Sequence, residues 1–266
     1  MPDRNPARPP TALITGASSG IGAAFARHLA VAGHRLVLVA RDAERLAAAR
    51  SGLRELGAPE VEVLGADLTD PADQTRVAER LAGVDEPVDL LINNAGTGLG
   101  HDFLDCTPAE LTAQIALNTT AVVLLTRAVL PPMLDRGHGG VINVASIAGL
   151  LPGRGTTYPG SKAYVISFTE GLAASLAGTG VRVQALCPGF VRTEFHQRAG
   201  IDMTKVPGPA YVDVDQLVLR SLADLRSNRV LSVPGALYRG IAVFADLAPR
   251  SLVNRVAARV ANGGRT

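Results

Sequence analysis

The sequence has few of the residues that mark disulfide-rich, metal-binding or nucleic-acid-binding proteins. It contains only two cysteines, Cys106 and Cys187, and no Cys-x-x-Cys pair, so neither a disulfide framework nor a cysteine-held metal is expected. Its 26 lysines and arginines against 24 aspartates and glutamates leave a formal charge of +2, which is too close to neutral to indicate a nucleic-acid partner. We therefore expect no metal site and no nucleic-acid surface.

Long apolar runs, targeting signals and low-complexity tracts are also missing. The proline-rich first ten residues resemble neither a signal peptide nor a membrane span, and we expect a flexible N-terminus over 1–10. The longest apolar stretches, near 36–40 and 121–134, are too short or too interrupted for a bilayer on this interpretation. With 47% hydrophobic residues, the chain is expected to be a globular cytoplasmic protein with a substantial core.

Short β-branched runs alternate with longer segments of helical periodicity. Apolar strands separated by helices are typical of a parallel sheet covered on both faces. We predict a single doubly wound α/β domain of Rossmann type over residues 11–247, with a mostly parallel sheet and helices on both faces. The expected strands are 11–15, 35–39, 61–65, 88–92, 140–144 and 181–186, and the expected helices are 21–32, 43–56, 71–81, 108–134 and 158–176, with Asp42 and Asp70 as N-caps.

After residue 188 the pattern loosens. Residues 190–212 contain two glycines and two prolines, which favours a segment between elements that acts as a substrate lid. A helix over 214–226 and a short strand over 229–233 follow. The tail 248–266 has apolar residues at helical spacing with arginines between them, so it is a basic amphipathic tail. Docking on the core or on a second subunit is favoured for it over contact with an anionic membrane surface.

A glycine-rich turn follows the first strand. Gly16, Gly20 and Gly22 allow backbone amides and a helix N-terminus to approach a pyrophosphate, although such turns also serve packing alone. The second strand ends in Ala40-Arg41, where an NAD enzyme of this fold usually carries an acidic residue. Arg41, with Ser18 and Ser19, therefore favours NADP over NAD, the alternative being a solvated arginine.

Tyr158 and Lys162 are four residues apart and would project from one face of a helix, with Ser146 and Asn118 upstream. A nearby ammonium favours the phenolate, so we expect a lowered pKa for Tyr158 and an acid/base role near neutral pH. This arrangement indicates hydride transfer with a tyrosine as the proton donor.

These motifs together resemble those of the short-chain dehydrogenase/reductase family. Thr15–Gly22 is similar to its TGxxxGxG turn, Asn93-Asn94-Ala95-Gly96 to its NNAG element, and Pro188–Thr193 to its PGxxxT segment. Asn118, Ser146, Tyr158 and Lys162 fall in the order of its catalytic tetrad. The resemblance covers about three-quarters of the chain.

The resemblance implies an NADP-dependent oxidoreductase that interconverts a carbonyl and its alcohol. Tyr158 would exchange the proton, Lys162 would stabilise the phenolate and hold the nicotinamide ribose, and Ser146 would orient the carbonyl. Asn118 would position a water that links Lys162 to solvent. The implied cofactor-binding residues are Gly16, Ser18, Ser19, Gly20, Ile21, Gly22, Arg41, Asp67, Leu68, Asn94, Ala95, Gly96, Tyr158, Lys162, Pro188, Gly189, Val191 and Thr193.

The substrate side is expected to be mostly apolar, which suggests a hydrophobic ketone or aldehyde. Its predicted wall consists of Leu99, His101, Leu150, Leu151, Phe190, Phe195 and His196, placed after the carboxyl edge of the sheet. The two histidines either orient a polar substrate group or are simply solvated. Ser146 and Tyr158 are 12 residues apart where the resemblance leads us to expect 13, so the loop 151–155 is one residue short and the pocket wall should differ.

Three further expectations concern partners and alternatives. The resemblance implies a homodimer or homotetramer associating through the helices 108–134 and 158–176. A non-catalytic NADP-binding sensor is the first alternative function, but a sensor has no need for an intact tetrad. A membrane-surface lipid-carbonyl reductase anchored by the basic tail is the second.

Overall fold

The core of the molecule is a seven-stranded parallel sheet, seen in a computed structural model that describes residues 8–151, 157–198, 207–249 and 251–252. In chain order its strands are β1 Thr11–Thr15, β2 Arg35–Ala40, β3 Val61–Gly65, β4 Leu90–Asn93, β5 Gly139–Val144, β6 Val181–Leu186 and β9 Leu231–Ser232. A separate parallel pair is formed by β7 Phe190–Val191 and β8 Tyr211–Val212. The order across the sheet is β3-β2-β1-β4-β5-β6-β9, which confirms the predicted doubly wound fold.

Helices cover both faces of this sheet. They are α1 Gly20–Val31, α2 Ala43–Glu55, α3 Pro71–Ala82, α4 Pro108–Ile115, α5 Ala121–Asp135, α6 Thr157–Ser175, α7 Glu194–Arg198, α8 Val214–Arg226 and α9 Ala236–Leu247. Two caps are confirmed, because the carboxylates of Asp42 and Asp70 accept from the backbone amides of Arg45 and Ala72. Helix α6 starts at Thr157, so Pro159 lies in its first turn, where a proline is tolerated.

The apolar side chains of the strands pack into two hydrophobic clusters, one on each face of the sheet. Ile14 belongs to the cluster beneath α1, α2 and α8, whereas its neighbour Leu13 belongs to the cluster beneath α3 and α5. Both side chains are fully buried. Strand side chains alternate between faces, so a strand covered on both sides must be apolar at every position, as the sequence pattern indicated.

The helix predicted over 108–134 contains a wide turn. Between α4 and α5, residues Ala116–Thr120 are π-helical, and the amide of Ala121 bonds to the carbonyl of Ala116, five residues back. The stretch Pro108–Asp135 is 28 residues long and contains an 18-residue window with a mean hydropathy of 1.4, so it is long and apolar enough to cross a membrane by length and composition alone. In the fold, one side of it packs against the sheet and α3, as a core helix does.

Several predicted regions differ from the structure or lie outside the described residues. The fourth strand begins at Leu90 rather than at residue 88, and the last one is shorter than predicted. Residues 1–7, 152–156, 199–206, 250 and 253–266 lie outside the described part. These include most of the short loop 151–155, the middle of the predicted lid 190–212 and most of the tail 248–266.

Candidate active site

The glycine-rich turn between β1 and α1 needs its glycines for two different reasons. Gly16 and Gly20 have φ of +64° and +55°, which side-chain-bearing residues rarely adopt. Gly22 is required for space, since a Cβ there would lie 2.4 Å from the carbonyl oxygen of Gly16. Residues Ser18, Ser19 and Ile21 occupy the same turn and the first turn of α1. The turn is therefore packed tightly and also leaves its backbone approachable, as a pyrophosphate site requires.

Asn94, which directly follows β4, stabilises this turn by hydrogen bonds. Its Nδ2 donates to the carbonyl oxygens of Thr15, at 2.9 Å, and Gly16, at 3.1 Å. The hydroxyl of Thr15 accepts in return from the amides of Asn94 and Ala95. The side chain of Asn94 thus fixes the turn through protein partners. Thr15 begins the glycine motif, but this role of its hydroxyl was not predicted from the sequence.

Tyr158 and Lys162 meet at the carboxyl end of β5. The ammonium nitrogen of Lys162 lies 5.8 Å from the centre of the Tyr158 ring and donates to the carbonyl oxygen of Val144 over 2.8 Å. The Ser146 side chain interacts with the Tyr158 phenol and lowers its pKa. Three predicted tetrad members are therefore brought together, with the backbone of Val144 as an unpredicted fourth partner.

The expected lowering of the Tyr158 pKa is wrong for this structure. Burial raises the pKa of Tyr158 to about 12, and the Ser146 interaction offsets only part of that effect. Burial also lowers the pKa of Lys162 to about 8, because a desolvated ammonium is disfavoured. The phenol is consequently protonated at neutral pH, which is the state that a proton donor needs.

Asn118 lies at the wide turn and is fully buried. Its Oδ1 accepts from the amide of Thr97 at 2.9 Å, and its Nδ2 donates to the Thr97 carbonyl oxygen at 2.9 Å and to Ser161 Oγ at 3.2 Å. A Cβ on Gly96 would lie 3.2 Å from Asn118 Oδ1 and 3.4 Å from Lys162 Nζ. Asn118, Gly96 and Lys162 thus converge on one small space, which a side chain at position 96 would narrow.

Arg41 and Asp67 lie together at the ends of β2 and β3. Arg41 is exposed and, within the described part of the chain, forms no ion pair. Burial opposes ionisation of Asp67, but hydrogen bonds from Thr69 and the charge of Arg41 hold its pKa below the usual value. The side chain of Leu68 is buried in the core, so only its backbone can face a ligand.

Residues 188–195, called the covering segment below, contact three separate parts of the site. A Cβ on Gly20 would lie 3.0 Å from the methyl carbon of Thr193, so this segment lies directly over the glycine turn. Glu194 forms an ion pair with Arg45 of α2. The ring of Phe195 lies 5.6 Å from that of Tyr158, centre to centre. Pro188, Gly189 and Val191 form the start of the segment, and the Pro188 carbonyl oxygen accepts from the Ile147 amide at 3.0 Å.

The predicted substrate wall is only partly brought together. Phe195 contacts Tyr158, and Leu150 packs on the apolar cluster behind the site. His101 is half-exposed, with Nε2 3.6 Å from a carboxylate oxygen of Glu110, which supports the solvated alternative. Leu99 and Leu151 are half-buried and Phe190 is exposed. The side chain of His196 lies outside the described residues.

A buried polar network behind the site was missed. Asn93 and Asn143 are partners in the β4–β5 register, and their amides bond at 2.9 Å. Asn93 also donates to Thr126 of α5, and Asn143 donates to Thr169 of α6, each at 3.0 Å. The network joins four elements next to the site: β4 and β5 are followed closely by Gly96 and Ser146, α5 follows the wide turn that carries Asn118, and α6 carries Tyr158 and Lys162. The presence of two asparagines inside otherwise apolar strands is the sequence feature from which this network could have been predicted.

A family model described as short chain dehydrogenase matches residues 10–203, which include the glycine turn, Asn118, Ser146, Tyr158 and Lys162. The chain belongs to the short-chain dehydrogenase family. A probable NADP-dependent dehydrogenase from Haemophilus influenzae is 36% identical over 240 residues, which cover 85% of this chain and 94% of the relative. As a member of this family, the protein is an NAD(P)-dependent oxidoreductase.

Solved structures of other short-chain dehydrogenases superpose on most of the chain. A short-chain dehydrogenase from Sphingobium yanoikuyae in complex with NADPH is 37% identical, with a TM-score of 0.81, over 97% of this chain and 96% of that one. A bulky-bulky ketone specific alcohol dehydrogenase from Comamonas testosteroni is 33% identical, with a TM-score of 0.77 and 97% and 94% coverage. A Burkholderia phymatum family member in complex with NAD is 28% identical, with a TM-score of 0.77 and 90% and 93% coverage.

Proposed function

We propose that this short-chain dehydrogenase uses NADP(H) to interconvert a bulky apolar ketone or aldehyde and the corresponding alcohol. The observation that carries the proposal is the meeting of the Tyr158 phenol, Ser146 and Lys162 beside the glycine turn. A protonated phenol, an orienting hydroxyl and a cation are together the groups that carbonyl reduction requires.

The residues present fit a nicotinamide dinucleotide. The glycine turn leaves backbone amides open at the start of α1, and Gly96 keeps space open beside Lys162. When bound, the nicotinamide ring supplies or accepts the hydride. Arg41 is an exposed cation at the end of β2, where it suits the 2′-phosphate of NADP better than a free ribose hydroxyl. The NADPH complex of the 37% identical structure supports this preference, and the NAD complex of the 28% identical one makes it a point to test.

The proton is handled by the chain itself. Tyr158 carries it at neutral pH because burial raises the pKa of the phenol to about 12, and it donates that proton to the substrate oxygen in the reductive direction. Lys162, charged below a pKa of about 8, stabilises the phenolate that remains. Ser146 holds the same oxygen in place. Asn118 acts by position, since its side-chain amide ties residue 97 and Ser161 to the wide turn.

The substrate class follows from the apolar side chains around Tyr158. The ring of Phe195 lies 5.6 Å from that of Tyr158, and Leu150 packs on the apolar cluster behind the site. The 33% identical structure is of an alcohol dehydrogenase whose description specifies bulky-bulky ketones, which supports a ketone with two large substituents. The exposed position of His101 gives no fixed polar group for a sugar-like substrate.

The decisive experiment is cofactor-dependent turnover by the purified full-length chain. NADPH and NADH are each tested against aryl-alkyl ketones, cyclic ketones, aldehydes and keto-esters. We expect oxidation of NADPH with bulky ketones. NADPH binding without turnover on any carbonyl would contradict the proposal and favour the sensor alternative. Turnover with small hydrophilic carbonyls alone would contradict the substrate class.

We also propose that the chain forms a homodimer through α4, α5 and α6. An open apolar groove runs between these helices, and its large side chains Ile115, Leu124 and Tyr164 are 48%, 44% and 50% exposed. The polar tetrad partner Ser161 lies at the back of the same groove. A second copy of the same helices would cover these side chains by an isologous contact.

A further inference from the structure

Tyr238 lies on α9, beyond residues 10–203 matched by the family model, yet it reaches the start of the covering segment. Tyr238 is 5% exposed, and its ring lies close against Gly189. A Cβ on Gly189 would lie 2.0 Å from a ring carbon of Tyr238. Gly189 is therefore a glycine because this ring occupies the place of a side chain.

The Tyr238 hydroxyl joins two strands that are 21 positions apart in the chain. It accepts from the amide of Phe190 at 3.1 Å and donates to the carbonyl oxygen of Ala210 at 2.5 Å. Phe190 opens β7, and Ala210 directly precedes β8, its parallel partner. Burial raises the pKa of Tyr238, which favours the protonated hydroxyl that donates the second bond.

What Tyr238 holds is the stretch that contacts the chemistry. From β7 the chain continues into Thr193, which lies over Gly20, and Phe195, which lies on Tyr158. A shift of Phe190 is passed directly to these two side chains, three and five residues further on. The ion pair of Glu194 with Arg45 is between exposed side chains and constrains the position of the segment weakly.

We propose that Tyr238 is a positioning residue that fixes the covering segment over the glycine turn and Tyr158. Helix α9 thereby fixes the position of the covering segment, which forms part of the substrate side of the site, without contacting the reacting atoms. The consequence for activity rests on the proposed function, whereas the consequence for the covering segment does not. The two are tested by different measurements.

The first measurement is amide hydrogen exchange of the full-length chain. In Tyr238→Phe, which keeps the ring and removes the hydroxyl, we expect exchange at residues 189–192 and 210–212 to rise by about tenfold, the scale of one or two lost hydrogen bonds. Exchange in β4 should stay unchanged. Ser221→Ala is the matched control. It also removes a buried hydroxyl, which donates to Gln184 Oε1 over 2.6 Å, but this hydroxyl belongs to α8 and not to the covering segment. Equal exchange at 189–192 in Tyr238→Phe and the wild type would overturn the proposal.

The second measurement separates positioning from loss of stability. With a ketone turned over by the wild type, Tyr238→Phe should raise KM about tenfold, while kcat and the Kd of NADPH change by less than about threefold. Gly189→Ala should likewise raise KM, because its Cβ displaces the ring. Ser221→Ala should lower the unfolding midpoint without changing KM. A KM in Tyr238→Phe no different from that in Ser221→Ala would contradict a positioning role, and absence of turnover in the wild type would count against the proposed function alone.

Discussion

The side-chain amide of Asn118 donates a hydrogen bond to the hydroxyl of Ser161 over 3.2 Å. This bond joins the wide turn of one helix to the first turns of the helix that carries Tyr158 and Lys162. Ser161 Oγ donates in turn to the carbonyl oxygen of Tyr158 at 2.8 Å. The position of Tyr158, the proposed proton donor, is therefore tied to a residue 40 positions earlier in the chain.

Ser161→Ala should break this connection while leaving all four tetrad side chains in place. We expect kcat to fall about tenfold, because the start of α6 loses one fixed point, with little change in NADPH affinity. The control is Ser175→Ala, which removes a hydroxyl bonded to the Gly171 carbonyl oxygen at the far end of the same helix. A kcat equal in both variants would show that the Asn118–Ser161 bond does not position the phenol.

Tyr158→Phe removes the proposed proton donor and keeps the ring. Turnover should fall by about 10²–10⁴-fold, the range of general acid–base catalysis. NADPH binding, measured by fluorescence titration, should stay within about threefold, since the turn and Arg41 are untouched. Residual turnover above about a tenth of the wild-type rate would mean that another group delivers the proton.

The pH profile of kcat/KM for ketone reduction should report Lys162. This value is expected to be level below pH 8 and to fall above it, as the buried ammonium with its pKa of about 8 loses the charge that stabilises the phenolate. Tyr158 stays protonated over the same range, because its pKa is about 12. Lys162→Met should lower activity at every pH and remove the break near pH 8. A break that persists in this variant would belong to another group.

The same pKa shifts have opposite effects on stability. The pKa of Lys162 falls from 10.5 to about 8 on folding, so the unfolded chain binds more protons between these values and the free energy of unfolding rises with pH there. The pKa of Tyr158 rises from 10.0 to about 12, so its contribution makes the free energy of unfolding fall over that higher range. The free energy of unfolding, measured by urea titration between pH 7 and 10, should therefore change with pH differently in the wild type and in Lys162→Met.

Arg41→Asp should reverse the nucleotide preference. Loss of charge-assisted bonds to a 2′-phosphate, and repulsion in their place, should raise the KM of NADPH by about 10–100-fold and leave that of NADH within about threefold. Arg50→Asp, at an exposed position further along α2, provides the charge-matched control. An unchanged NADPH/NADH ratio in Arg41→Asp would refute the role given to Arg41.

Leu124→Glu should dissociate the proposed dimer. A charge in the centre of the groove between α5 and α6 would be buried by a second copy, at a cost that a contact of this kind cannot offset. Light scattering after gel filtration should show the mass of one chain, against two for the wild type. Leu219→Glu, at a somewhat more exposed leucine of α8, should remain dimeric. A monomeric wild type would exclude the dimer.

The fold could be predicted closely because its signals are local. The β-branched runs, Asp42 and Asp70 as caps and the proline at position 159 each fix structure within a few residues. The order of Asn118, Ser146, Tyr158 and Lys162 likewise needs only the sequence to be noticed.

The features that were missed depend on distant contacts. The pKa of Tyr158 is set by burial under Phe195 and the core, which spacing on one helix does not reveal. The wide turn at Asn118 has no distinct sequence signal, since an asparagine followed by two threonines weakens a helix without indicating that its hydrogen bonds widen. The ring of Tyr238 packs against Gly189, which lies 49 positions earlier in the chain. A close approach of this kind becomes visible only when both segments are placed in space.

The position of Tyr238 near the end of the described chain also has a consequence for synthesis. A ribosome releases residues 11–186, with six of the seven sheet strands and all four tetrad side chains, before β9 and α9 have emerged. The residue that holds the covering segment is translated after both strands it joins. A nascent chain therefore gains its reacting groups first, and the restriction on what may reach them is added last.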